Sequence, residues 1–85
     1  MSSIIPAQIR AARHLLAVSQ EDAARHLGVS LTSIRRAEND ATPKPASELL
    51  KRAYRAYLEQ QGVTFIDQTK DHGPGVILTR PLDTP

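Results

Sequence analysis

Hydrophobic positions recur along most of this chain at intervals of three and four, the period of helices that bury one face. Residues 7–16 set Ile9, Ala12, Leu15 and Leu16 at that spacing, with Arg10, Arg13 and His14 between them. Pro6 suits the first turn, where its missing N–H is not needed, so a first helix is expected here. Ser19 reads as the N-cap of a second helix, its hydroxyl accepting from the Asp22 backbone N–H, and that helix runs to about Leu27. Gly28 can take the left-handed conformation that closes it. Only two residues later Ser30 caps a third helix, with Leu31, Ile34 and Ala37 on one side and Arg35 and Arg36 partly exposed. Helices joined so tightly cross steeply and cannot lie antiparallel.

Pro43 and Pro45 block continuation of that helix. A fourth helix is expected from Ala46 or Ser47 to Gln61, with Leu49, Leu50, Ala53, Tyr54, Tyr57 and Leu58 as its apolar stripe. Lys51, Arg52, Arg55 and Glu59 form its wet face, and Gly62 ends it. The pattern then changes to period two. Val63–Ile66 and Val76–Thr79 are short β-prone runs either side of a polar loop ending His72-Gly73-Pro74-Gly75, which predicts a hairpin. Residues 1–62 are thus read as the helical domain, 63–80 as a hairpin extension of it, and 81–85 as a frayed tail.

The 85 residues allow one domain. With no cysteine, neither disulfides nor thiolate metal sites can hold it together, and packing must do so. His14, His26 and His72 are scattered without metal-ligand spacing, and Gly73-Pro74-Gly75 lacks the strand, helix and lysine of a phosphate loop. His26 is expected on the outer surface of the second helix. At 4% aromatic residues the chain has no stacking platform for single-stranded nucleic acid. No run is long and apolar enough to span a membrane. The expectation is a binding protein, not an enzyme, without cofactor or metal. A net charge of +2 is a weak signal for an anionic partner, so the placement of basic residues matters more than their total.

Ser19, Gln20, Ala24, Gly28, Val29, Ser30, Ile34 and Glu38 stand in register and without a gap, and the segment 9–40 resembles the Cro/CI-type (XRE family) helix-turn-helix of phage and bacterial repressors. The run 58–66 and Gly73–Val76 is similar to the tail of small bacterial members. The resemblance implies a mainly α fold, a lambda-repressor-like bundle of four to five helices with a short C-terminal β-hairpin. It implies a double-stranded DNA partner, a homodimer reading a palindromic operator, and a cytoplasmic, nucleoid-associated bacterial repressor.

In such domains the exposed first turn of the third helix meets base edges. That assigns base readout to Leu31, Thr32, Ser33 and Arg36, with Leu31 either touching a thymine methyl or packing on a partner. Gln20, Ser30, Arg35 and Arg10 are expected at the DNA backbone. Arg13 and Glu38 match a family pair that bridges the first and third helices. Ala23 and Ala37 stand where the family keeps larger aliphatic residues, so Leu50, Tyr54 or Leu16 must fill the space. Asp40 replaces the usual glycine after the third helix.

The tail has two readings. Phe65 and Ile77 can cap the core, or the strands can pair across a two-fold axis with the Tyr54, Tyr57, Leu58 face packing on its mate. An edge strand can instead recruit another protein. An antitoxin whose tail binds a partner would keep the same DNA-binding half, and a helix-turn-helix used only as a protein scaffold is a third reading.

Overall fold

The computed structural model describes residues 4–39 and 41–79. Four helices, α1 (Pro6–Leu15), α2 (Gln20–Leu27), α3 (Leu31–Ala37) and α4 (Glu48–Gln61), precede two antiparallel strands, β1 (Val63–Ile66) and β2 (Gly75–Leu78). The expected helical bundle with a C-terminal hairpin is therefore the fold observed among the described residues. Asp40 and the tail 81–85 lie outside them.

Local chemistry sets the helix ends. Ser19, Ser30 and Ser47 each accept a backbone N–H three residues on, from Asp22 at 3.0 Å, Ser33 at 3.1 Å and Leu50 at 3.1 Å. Each bond satisfies a donor that the first turn leaves unpaired. Gly28 closes α2 at φ 68°. The end of α1 is less ordinary, because Ala17 takes φ 57° where glycine would be expected. Ala17 N–H donates to His14 C=O and Val18 N–H to Arg13 C=O, both at 3.1 Å, so a Schellman-type closure is made around a residue with a Cβ.

The core draws on every element. Ile9 and Ala12 of α1, Ala23 of α2, Ile34 and Ala37 of α3, and Tyr54, Tyr57 and Leu58 of α4 are buried together with Ile4, Val63 and Phe65. Ala23 and Ala37 let the helices of the turn close on one another. The bulk comes from α4, where Tyr54 is the largest fully buried side chain, and from Leu16, which packs against the cluster at half burial. Leu50 is half-buried but is not among the residues packed on that core.

Three expectations need correcting. The apolar stripe of α4 is narrower than its hydrophobic positions suggest: Leu49 is 78% exposed and Ala53 is exposed. The stripe positions from Leu49 to Leu58 spread over about half of the helix circumference, and the core takes the side that carries the tyrosines. For the same reason Tyr54, Tyr57, Leu58 and Phe65 are interior residues of one chain and present no face to a mate.

Ile77 does not cap the core. The register pairs Val63 with Leu78, Thr64 with Ile77, Phe65 with Val76 and Ile66 with Gly75, so alternate pairs face opposite sides. Thr64 and Ile77 share the outer face, and Ile77 is 54% exposed. The hairpin is held to α1 by Gln8, which is only 4% exposed. Its Nε2 donates to the Ile66 carbonyl at 3.1 Å and the Gly75 carbonyl at 3.0 Å, while its Oε1 accepts from Ile5 N–H at 2.9 Å.

Candidate nucleic-acid interface

The turn between α2 and α3 presents one side of α3 outward. Ile34, Ala37 and the following Glu38 are buried, whereas Thr32, Arg35 and Arg36 are exposed and Leu31 and Ser33 half-buried. At the start of α3 the Ser30 hydroxyl caps Ser33 N–H and also lies 3.0 Å from the Ser33 hydroxyl. Those two side chains are therefore organised before any ligand arrives. Arg35 and Arg36 are both exposed, and neither takes part in an ion pair among the described residues.

The orientation of this face is fixed by a carboxylate at the end of α3. Glu38 is 3% exposed and has donors at both oxygens. Arg13 Nε donates to Oε2 at 2.8 Å and Arg13 Nη2 to Oε1 at 3.0 Å, a two-pronged pair between α1 and the end of α3. Gln20 Nε2, at the start of α2, donates to Oε1 at 3.2 Å, and the Tyr54 hydroxyl of α4 donates to Oε2. Four donors fill the four acceptor directions of a carboxylate, so a charge withdrawn from water leaves no oxygen unsatisfied. All four helices meet at this group.

The titration behaviour follows from that geometry. Burial works to raise the Glu38 carboxyl, but the bonds from Arg13 and Tyr54 outweigh it and hold the group below the ordinary carboxylate value. Burial also works against the Arg13 charge, and Glu38 overcomes it, leaving Arg13 above its usual value. Tyr54 is pushed well up, first by burial and then by its bond to Glu38.

Each residue singled out from the sequence now has a place. Leu31, Thr32, Ser33 and Arg36 lie on α3, with Arg35 beside them and Ser30 at its cap. Gln20 is half-buried and shares the Glu38 network, which places a backbone-contact candidate and the end of α3 on one support. Arg10 does not join the outward face. Its Nη1 donates to the Glu38 carbonyl, because the end of α3 offers an unpaired carbonyl and partial negative charge close to α1. Arg13 Nη1 likewise holds the Val18 carbonyl at 3.1 Å.

Tyr54 and Gln8 had no polar role from sequence reasoning. The signal for Tyr54 was present: a buried Arg–Glu pair leaves carboxylate lone pairs that need another donor, and Tyr54 carries a hydroxyl on the buried face of α4. His26 is exposed, yet its ring stacks on Tyr57 with centroids 4.2 Å apart and planes at 25°.

Among the described residues no group of three or more His, Asp or Glu side chains sits where it could hold a metal ion. No helix among the described residues is long and apolar enough to cross a membrane. Neither the curated proteins nor the solved structures contain a match to this chain. The model of one family, described as a helix-turn-helix domain, matches residues 7–62, which run from α1 to the glycine that ends α4. That match takes in more than half of the sequence, including α3 and every side chain bonded to Glu38, and the chain belongs to the helix-turn-helix domain family.

Proposed function

We propose that this protein is a sequence-specific double-stranded DNA-binding transcriptional regulator, a homodimeric repressor that occludes a palindromic operator. The observation that carries the reading is the outward side of α3, where Thr32, Arg35 and Arg36 are exposed while the opposite side is locked by Ile34, Ala37 and Glu38. A rigid helix with free donors on its outer side is what major-groove recognition requires.

In this reading Arg36 takes guanine through two parallel bonds, Thr32 and Ser33 offer hydroxyls to base edges, and Leu31 contacts a thymine methyl. Arg35 and Gln20 contact phosphates, with Ser30 at the cap between them. Gln20 has two amide hydrogens; one is held by Glu38 and the other is available to a phosphate oxygen. Arg10 is left out of the contact set, since its charge is used at the end of α3.

The test is an anisotropy titration of the full chain against its own upstream DNA over a range of salt. Affinity is expected to fall with a log–log slope of about 0.9 per phosphate neutralised. Gln20→Ala is expected to weaken all sequences alike. Absence of binding to any upstream segment at low salt refutes the reading.

A further inference from the structure

With Tyr54, Tyr57 and Leu58 in the core, a two-fold partner has to be met elsewhere. The opposite face of the same helix offers a place. Leu49, Ala53, Ala56 and Gln60 are all exposed and follow one another at intervals of four, three and four, the spacing of a helix–helix seam. Leu49 at its head is the most exposed large hydrophobic side chain among the described residues. Three short or linear side chains after it leave room for another helix to come close.

The charges beside the seam select the occupant. Arg52 and Glu59 flank it on one side, two turns apart and opposite in sign, while Leu50 and Tyr57 flank it on the other. Among the described residues Arg52 makes no ion pair, and Glu59 meets only Arg55, at 3.4 Å on the same exposed surface. We infer that this outer face of α4 docks antiparallel on the same face of a second copy of the chain.

Antiparallel pairing sets Ala53 against Ala56 of the second copy and Leu49 against its Gln60. In that register Arg52 falls beside Glu59 of the second copy, and the two-fold repeats the pair on the far side. A parallel pair would set Arg52 against Tyr57 and leave Glu59 facing no residue of the helix. The surface is complementary to itself in one direction only.

Size sets the expected strength. α4 has 14 residues and is therefore about 21 Å long. One such face is small against the ~1,200–2,000 Å² of a stable interface. The free protein is accordingly a weak, reversible dimer, and two half-sites on one DNA duplex raise the effective concentration enough to complete it. This rests on the homodimer within the proposed function and names its surface.

The test uses the full chain in sedimentation velocity, from about 1 μM to the millimolar range. The wild type is expected to pass from monomer to dimer. Arg52→Glu and Glu59→Arg are each expected to weaken dimerisation by about tenfold or more, and the double variant to recover most of the loss. Leu49→Glu is expected to leave a monomer. All three positions are exposed, and far-UV circular dichroism checks that each variant is folded.

Direction is read separately, because the chain has no cysteine of its own. Ala53→Cys copies mixed with differently tagged Ala56→Cys copies are expected to cross-link to one another on oxidation. Preferential linkage of Ala53→Cys copies among themselves overturns the antiparallel arrangement. A monomer at every concentration and on two-site DNA, or a dimer indifferent to both charge reversals, as pairing through the β2 edge would give, overturns the surface. Binding to a duplex with a single half-site is measured in parallel. Its presence with charge-indifferent assembly sinks this inference alone, and its absence sinks the DNA reading.

Discussion

Tyr54→Phe removes one oxygen from the junction where the four helices meet. The ring stays, so the core keeps its volume and no cavity term enters. What is lost is the hydroxyl that donates to Glu38 Oε2. Hydrogen bonds to a charged group contribute about 1.5–3 kcal/mol, and water cannot substitute easily at a residue that is 3% exposed. We expect a loss of about 1.5–3 kcal/mol, against a total of roughly 4–13 kcal/mol for a domain of this length. That corresponds to a midpoint lower by about 10 °C. Urea unfolding followed by far-UV circular dichroism gives the difference directly.

The pH dependence supplies a second readout of the same bond. Glu38 has a folded value below its ordinary 4.5, so its contribution to stability is present above that value and is lost as pH falls through the lower folded value. The gap between wild type and Tyr54→Phe is therefore full near neutrality and narrows in acid, as Glu38 takes up a proton in both proteins. A difference below about 0.5 kcal/mol near neutral pH, or one that stays constant down to the acid limb, would refute the role assigned to Tyr54.

Further outcomes follow from other residues. Ala17 sits at φ 57° on an exposed turn, so Ala17→Gly relieves steric strain of about 1–2 kcal/mol and loses about 0.4–1 kcal/mol to unfolded-chain entropy. Thermal unfolding should show a small net gain. Gln8→Ala removes three hydrogen bonds and leaves the Ile66 and Gly75 carbonyls without that donor. It is expected to cost about 2–4 kcal/mol, with amide exchange rising first in β1 and β2. Gly28→Ala meets no atom within 4 Å, so its positive φ is what is penalised, with a net cost of about 1 kcal/mol in urea unfolding after the unfolded-chain entropy gain.

Much of the fold was legible because local chemistry and pattern agreed. Ser19 and Ser30 cap α2 and α3, Gly28 turns the chain, and Pro6 opens α1, while Ser47, read as a possible first helical residue, is the cap of α4. The second strand of the hairpin is shifted by one residue at both ends, running Gly75–Leu78 instead of Val76–Thr79. The face of α4 was misjudged because hydrophobicity ranks Leu49 with Leu58, whereas packing decides between them. One is 78% exposed and the other fully buried. Long-range polar contacts were the least accessible. Gln8 reaches residues 58 and 67 positions away, and nothing in its neighbourhood announces that. Arg10 and Arg13 look alike in sequence, yet one holds a backbone carbonyl and the other a carboxylate, a distinction made by where the end of α3 comes to rest.

The central claim is that the outer side of α3 reads base sequence. It is tested most directly by selecting bound duplexes from a random DNA pool with the wild-type chain and with Arg36→Ala. The wild type is expected to return a two-fold symmetric consensus, and Arg36→Ala the same consensus with one position per half-site relaxed, at a cost of about 1–3 kcal/mol. A pool that emerges unenriched with the wild type, or an identical consensus of equal affinity with Arg36→Ala, would contradict it.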